Sequence, residues 1–112
     1  MPRTVLVVDD SAAFRATAQV LLRARGYEVV GAAGDLETAR AAVDELRPDC
    51  VLLDVNLPDG DGLSMAGSLA AHVVLVSTLD LHDDAIARSG AHGFVPKAEL
   101  ASPRLVELLG PP

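Results

Sequence analysis

The chain has 112 residues, of which half are apolar and 22% are charged, with a net charge of −7 and one cysteine, Cys50. This length predicts a single domain over residues 1–112, since domains cluster near roughly 100–150 residues. The negative charge disfavours direct binding of nucleic acid, the apolar runs are too short for membrane insertion, and a lone cysteine excludes an internal disulfide, so we expect a cytoplasmic protein.

The chain opens with a strand and a helix. Thr4–Val8 is a continuous apolar run, which indicates a strand buried on both faces of a sheet. Apolar residues then recur at helical spacing over residues 12–25, with Ser11 as a plausible N-cap. Gly26 is placed to end this helix in a left-handed conformation.

A second strand and helix follow the same plan. Residues 28–32 form a short β-branched and small-residue run that predicts a strand. Asp35 is a candidate cap for an amphipathic helix over residues 36–46, which Pro48 would stop. Strands and helices therefore alternate along the first half of the chain.

The third strand is predicted at residues 51–53. It is followed by a loop over residues 56–62 that is dense in Asn, Pro, Asp and Gly, and then by a short helix near residues 63–69. We interpret the loop residues Asp59 and Asp61 as solvated, because acidic loops on acidic chains are usually solvated.

The remaining elements are two more strand and helix pairs. Residues 73–76 and 93–95 predict strands, residues 80–88 predict a helix ended by Gly90, and residues 100–109 predict the last helix. Five strands that alternate with helices predict an α/β fold with a doubly wound, five-stranded parallel sheet. Ligands of such sheets bind at the carboxyl ends of the strands.

Polar residues stand at those strand ends. Asp9 and Asp10 follow the first strand, Asp54 the third, Ser77 the fourth and Lys97 the fifth. Three carboxylates placed close together repel one another unless a cation is present. Oxygen ligands without histidine or cysteine favour a hard ion, so we predict Mg²⁺, with Mn²⁺ as the alternative.

The same residues are the parts of a phosphoryl-transfer site. A carboxylate, a divalent ion, a lysine and a hydroxyl supply a nucleophile, neutralising charge and a hydrogen-bond donor. Lys97 is the one lysine of the chain, and its compact ammonium can pair first with a carboxylate and then with a phosphoryl oxygen. Asp54 is the predicted nucleophile because it stands between the metal side and the side of Ser77 and Lys97.

Four motifs resemble the receiver domains of response regulators in two-component signalling, and together they span residues 5–109. They are Val-Val-Asp9-Asp10-Ser, Leu-Leu-Asp54-Val-Asn-Leu-Pro58-Asp-Gly-Asp-Gly62, Val-Leu-Val-Ser77 and Gly90-Ala-His-Gly-Phe94-Val-Pro-Lys97. The resemblance implies the flavodoxin-like, CheY-like (βα)5 topology with strand order 2-1-3-4-5.

The resemblance also implies roles at the metal site. Asp54 would receive a phosphoryl group from a histidine kinase or a histidine phosphotransfer protein. Asp10 and Asp54 would ligate Mg²⁺ directly, Asp9 mostly through water, and Asn56 through its backbone carbonyl.

A switch is implied as well. Ser77 and Lys97 would bind the phosphoryl oxygens, and Phe94 would be the aromatic residue that turns inward as the Ser77 hydroxyl moves. The signal would leave through a face formed by residues 81–88, Phe94 and residues 104–109. It would reach a downstream protein, a separate output domain or a phosphorylation-dependent homodimer, so the chain is expected to be a switch and not a turnover enzyme.

Two other classes of function are considered. A small phosphohydrolase that forms an aspartyl phosphate usually has an Asp-x-Asp pattern after its first strand and a cap, whereas Asp9 and Asp10 are adjacent here. A phosphorylation-independent interaction module would be expected to have lost residues such as Asp54 or Lys97. Thr78 stands where the resembling family usually has Ala or Gly, and we predict that it slows phosphorylation.

The three histidines, His72, His82 and His92, lack metal-ligand spacing, and we assign them solvated or capping roles.

Overall fold

The computed structural model of the chain describes residues 2–112. A five-stranded parallel sheet lies at its centre. The strands pair in the order β2-β1-β3-β4-β5, so the predicted order 2-1-3-4-5 is confirmed. Their bounds are β1 Thr4–Val8, β2 Glu28–Ala33, β3 Cys50–Asp54, β4 His72–Ser77 and β5 Gly93–Pro96.

Helices cover both faces of this sheet. Their bounds are α1 Ala12–Ala24, α2 Leu36–Leu46, α3 Gly62–Met65, α4 Asp83–Ser89 and α5 Arg104–Leu109. One buried cluster joins the sheet to α1 and α5, and a second joins its other face to α2, α3 and α4. Burial on both faces explains the continuous apolar runs of the central strands.

Local caps set the bounds of the first two helices. The Ser11 hydroxyl accepts from Phe14 N at 3.2 Å, and Gly26 is left-handed with φ 96°, as predicted. The Asp35 carboxylate accepts from Thr38 N at 2.7 Å. Helix α2 ends at Leu46, and Arg47 takes the left-handed conformation with φ 46°, before Pro48.

Two predicted helix starts are wrong. Helix α4 begins at Asp83 and not at residue 80, because the Ser77 hydroxyl accepts from Leu79 N at 3.1 Å and holds the chain in a turn after β4. The last helix begins at Arg104 and not at residue 100. Pro103 disfavours helical backbone at Ser102, so the helix starts only after Pro103, and Lys97–Glu99 forms a separate 3-10 turn.

The loop after β3 contains regular structure that the sequence did not predict. Asn56–Leu57 pairs with Gly60–Asp61 in a small antiparallel hairpin, which we call the β3–α3 hairpin. The short helix predicted next is α3, which continues as a 3-10 turn at Ala66–Ser68. Across residues 2–112, every helix is too short or too polar to span a lipid bilayer.

Candidate functional site

Three carboxylates converge at the carboxyl edge of the sheet. Asp9 and Asp10 follow β1, and Asp54 ends the neighbouring strand β3. One ligand oxygen from each residue lies within 4.8 Å of the others. Asp9 is fully buried and Asp54 is 4% exposed, whereas Asp10 is exposed to solvent. The predicted acidic cluster is therefore present, open on the side of Asp10.

Lys97 contacts this cluster from the end of β5. Its Nζ lies 2.6 Å from Asp9 Oδ2 and 3.5 Å from Asp54 Oδ2, so the closer ion pair is with Asp9. The same ammonium lies 4.4 Å from the centroid of the Phe14 ring, within the range of a cation–π contact. Burial disfavours the charged form of Lys97 and so acts to lower its pKa. The hydrogen bond to Asp9 and the negative charges of Asp54 and Asp9 outweigh burial, and the pKa of Lys97 is raised.

The Asp54 carboxylate is costly to keep charged. Burial, and then the negative charge of Asp9, raise its pKa, while Lys97 and the Asn56 N–H act in the opposite direction. The Asn56 amide donates to Asp54 Oδ1 at 3.3 Å. An additional cation beside Asp54 would favour the charged form that a nucleophilic carboxylate requires.

The donor set fits a hard divalent cation. Asp9 Oδ2 is buried, and within residues 2–112 no N–H or hydroxyl group donates to it in addition to its ion pair with Lys97. The clustered ligand atoms are all carboxylate oxygens, and the exposed Asp10 leaves one side open to water. Mg²⁺ and Mn²⁺ are the ions that such open, oxygen-only sites hold.

Ser77 lies on β4, the strand that pairs with the Asp54 strand, and Phe94 lies on β5, one strand further out. Ser77 ends β4 and is 1% exposed, and Val76, the residue before it, is paired with Asp54. Its hydroxyl accepts from Leu79 N, so the group is held by the loop that follows. Phe94 is buried within β5, in the cluster that faces α2, α3 and α4.

Gly62 permits a close approach of the chain to Asp54. A Cβ atom at this position would lie 2.2 Å from the Asp54 carbonyl oxygen, which is shorter than any non-bonded contact allows. Gly62 N also donates to Val55 O at 2.8 Å. The sequence placed Gly62 at the end of the predicted loop over residues 56–62, and in the structure its missing side chain lets the start of α3 pack directly on the end of β3.

Asp59 and Asp61 are exposed, as predicted, and their carboxylates also accept backbone hydrogen bonds that the sequence did not indicate. The Asp59 carboxylate accepts from Leu36 N at 2.8 Å and from Glu37 N at 3.0 Å, at the start of α2. Asp61 accepts from Leu63 N at 2.9 Å and is the N-cap of α3. The Asp61 cap could have been found, because it directly precedes the helix. Asp59 gave no signal, because its partners lie 22 and 23 residues away.

Arg15 is another residue that the sequence did not single out. Its Nη1 donates to the Asp9 backbone carbonyl at 2.6 Å, and so places a guanidinium group beside the acidic cluster.

His72 and His92 stack with ring centroids 4.0 Å apart at the opposite edge of the sheet. His72 Nε2 lies 2.7 Å from the Leu108 carbonyl oxygen in the last turn of α5, a capping contact of the kind predicted, whereas His92 Nδ1 accepts from Val73 N of β4, which is not a helix cap.

Comparison with known proteins gives a consistent result. The family model of the response regulator receiver domain matches residues 5–109. A protein-glutamate methylesterase/protein-glutamine glutaminase from Myxococcus xanthus is 43% identical over 119 residues, with 97% of this chain covered. The chain spans 34–35% of the length of that relative and of the first curated relatives that it matches.

Solved structures share the fold. The response regulator domain of Thermotoga maritima CheB has a TM-score of 0.84 and 28% identity, and the match covers 97% of this chain and 94% of that one. A CheX–CheY–BeF3–Mg complex from Borrelia burgdorferi has a TM-score of 0.82 and 25% identity, with 98% and 91% covered.

Proposed function

The chain belongs to the response regulator receiver domain family of two-component signalling, and on this basis we propose that Asp54 is its phosphoacceptor. The observation that carries the proposal is the position of the Asp54 carboxylate. It is nearly buried at the end of β3, with Asp9 and Asp10 beside it and Lys97 Nζ 3.5 Å away. The donor would be a histidine kinase or a histidine phosphotransfer protein.

The transfer forms one bond and breaks one bond. An Asp54 carboxylate oxygen attacks the phosphorus of the donor phosphohistidine, the new O–P bond forms, and the N–P bond breaks. The imidazole nitrogen keeps the electron pair and takes a proton from solvent. The Asn56 amide donates to Asp54 Oδ1, so the proposed attacking oxygen is Oδ2, which lies 3.5 Å from Lys97 Nζ.

We propose that Asp9, Asp10, Asp54 and the backbone carbonyl of Asn56 hold Mg²⁺. Mg²⁺ supplies charge neutralisation to the phosphoryl oxygens when it is bound. The carboxylate cluster supports this assignment, and so does the BeF3 and Mg of the Borrelia burgdorferi complex, whose fold this chain shares.

Lys97 and Ser77 are proposed to bind the transferred group. Lys97 Nζ would leave Asp9 for a phosphoryl oxygen, a short movement given its 3.5 Å distance from Asp54. The Ser77 hydroxyl would release Leu79 N and donate to another oxygen, and the turn before α4 would change with it. In this scheme the Phe94 side chain turns inward as the Ser77 hydroxyl moves. The signal would therefore leave through the α4-β5-α5 face.

We propose that residues 1–112 form one receiver domain that acts as a switch in the cytoplasm. The methylesterase relative is about three times longer than the matched region, so its named activity is not carried over to this chain. A separate output domain, a downstream protein or a phosphorylation-dependent homodimer would receive the signal. Two features favour the cytoplasm. The proposed donor carries phosphohistidine, and Cys50 of this chain is a free, buried thiol.

Intact-mass spectrometry tests the phosphoacceptor proposal. Acetyl phosphate with Mg²⁺ is expected to add one phosphoryl group, roughly 80 Da, to the wild-type chain. The gain should be absent for Asp54→Ala and in EDTA. A wild-type chain that gains no mass, or an Asp54→Ala variant that gains as much, would contradict the proposal. Continuous hydrolysis of p-nitrophenyl phosphate would instead favour the phosphohydrolase alternative.

Replacing Thr78 by alanine is expected to speed phosphorylation several-fold. Thr78 is exposed and directly follows Ser77 at the edge of the site, so its β-branched side chain narrows the approach of a donor. The rate of mass gain with acetyl phosphate measures the effect, and Thr78→Val, which keeps the bulk, is the matched control. Equal rates for Thr78→Ala and the wild type would contradict this role.

A further inference from the structure

The β3–α3 hairpin is fastened to helix α2 by one carboxylate. Asp59, at the tip of the hairpin, accepts from the first two amides of α2, at 2.8 Å from Leu36 N and 3.0 Å from Glu37 N. These two backbone hydrogen bonds lower the pKa of the Asp59 carboxyl. The partner amides would otherwise lack acceptors, because the first turn of a helix has no intrahelical partners for them.

Packing at the tip strengthens the same contact. A Cβ atom at Gly60 would lie 2.7 Å from Leu36 Cδ1, so the hairpin backbone rests directly on the first residue of α2. Leu57, on the other arm of the hairpin, is buried in the cluster that also contains Leu36. The tip is therefore held by two hydrogen bonds and by apolar contact.

The other end of the hairpin lies at the acidic cluster. Asn56 pairs with Asp61, and the Asn56 amide donates to Asp54 Oδ1. Each arm of the hairpin has two residues, and so short a pair of strands is not stable alone in water. The base of the hairpin is held by the bonds from Gly62 N to Val55 O and from Asn56 N to Asp54 Oδ1, and the contacts of the tip are the second support of the Asn56 backbone.

We propose that Asp59 is a positioning residue for the cation site. It anchors the hairpin to α2 and so fixes the backbone carbonyl of Asn56 where the cation binds. This inference rests on the proposed function, in which that carbonyl is a ligand. A backbone ligand can be held only by the surrounding chain, and a mobile ligand must be ordered when the cation binds, which weakens the affinity.

Asp35 supplies a matched control. Its carboxylate caps the same helix by accepting from Thr38 N at 2.7 Å, but it precedes α2 in sequence and is not part of the hairpin. Asp35→Ala and Asp59→Ala both remove acceptors from the first turn of α2, and both should lower the melting temperature. Only Asp59→Ala also releases the hairpin.

The test is calorimetric titration of the full chain with Mg²⁺ alone. We expect Asp59→Ala to raise the Kd about 10-fold, the low end of the effect of losing an outer-shell partner, whereas Asp35→Ala should leave it close to the wild-type value. Asp59→Asn keeps one acceptor oxygen and should fall between Asp59→Ala and the wild type. It also provides a reading if Asp59→Ala does not fold.

Equal Mg²⁺ affinity for Asp59→Ala, Asp59→Asn and the wild type would overturn the positioning role. An equal loss in Asp35→Ala would also overturn it, because the effect would then come from the capping of α2. If the wild-type chain binds no Mg²⁺, the metal site of the proposed function fails, and the role of Asp59 fails with it. This outcome is distinct, because it appears in the wild type before any variant is compared.

Discussion

Replacing Asp54 by asparagine is expected to raise the free energy of unfolding by about 1–2 kcal/mol at neutral pH without Mg²⁺, and to abolish phosphoryl uptake. The carboxylate is nearly buried, lies beside the charged Asp9, and is only partly compensated by Lys97. Asparagine has a similar shape and no charge, so it removes this cost. A functional group that destabilises its own fold indicates that the position serves chemistry and not stability.

The difference in the free energy of unfolding between Asp54→Asn and the wild type depends on pH through the pKa of Asp54. Burial, and then the charge of Asp9, raise that pKa above its value in the unfolded chain. The folded state therefore binds more protons than the unfolded state. The stability lost by keeping Asp54 charged is complete above its raised pKa and disappears as the pH falls below the pKa of Asp54 in the unfolded chain. The stability gap between Asp54→Asn and the wild type should close between neutral pH and about pH 4.

Urea unfolding at several pH values measures the gap. Asp44→Asn, on the exposed side of α2, is the control for a general change of net charge. A gap that does not change with pH, or an Asp54→Asn variant that is less stable than the wild type at pH 7, would contradict the description of Asp54 as a strained carboxylate.

Replacing Lys97 by alanine is expected to lower the free energy of unfolding by about 2–3 kcal/mol at neutral pH without Mg²⁺. Its ammonium pairs with Asp9 at 2.6 Å and lies 3.5 Å from Asp54, so its loss leaves two buried carboxylates side by side. Breaking a fully buried pair costs about 3–5 kcal/mol, and the partial exposure of Lys97 reduces that figure. Added Mg²⁺ should restore part of the loss, because it would neutralise the same carboxylates.

A double-mutant cycle separates this effect from lost packing. In the Asp54→Asn background, Lys97→Ala should cost clearly less than it does in the wild type, because one of the two carboxylates has been removed. Arg88→Ala, on the exposed side of α4, is the control for a lost surface cation. If the cost of Lys97→Ala is the same in both backgrounds, the ammonium does not compensate Asp54. Chemical denaturation with and without Mg²⁺ provides every value of the cycle.

There is a physical reason why the sequence could predict the sheet and the edge of the sheet at which the site lies. Strands buried on both faces read as uninterrupted apolar runs, such as Thr4–Val8, and a polar residue that ends such a run falls at the carboxyl edge. The convergence of Asp9, Asp10 and Asp54 follows from parallel pairing of β1 and β3. These inferences need only local patterns and the topology of the sheet.

Other features depend on contacts between distant parts of the chain. Nothing near Asp59 indicates that its acceptors serve α2, and nothing near Lys97 indicates that Asp9 is a closer partner than Asp54. The sequence also failed to predict the late start of α5, because the apolar spacing of residues 100–109 outweighed the signal from Pro103. Such contacts depend on which loops meet in space, and single-sequence patterns do not contain that information.

Locating the phosphoryl group on the chain tests the central claim most directly. Wild-type protein treated with acetyl phosphate and Mg²⁺ would be reduced with borohydride, which converts an aspartyl phosphate to homoserine, and its peptides would be sequenced by mass spectrometry. We predict homoserine at position 54 alone, and none after treatment in EDTA. Homoserine at Asp9 or Asp10, or phosphate retained on a histidine, would contradict the assignment of Asp54 as the phosphoacceptor.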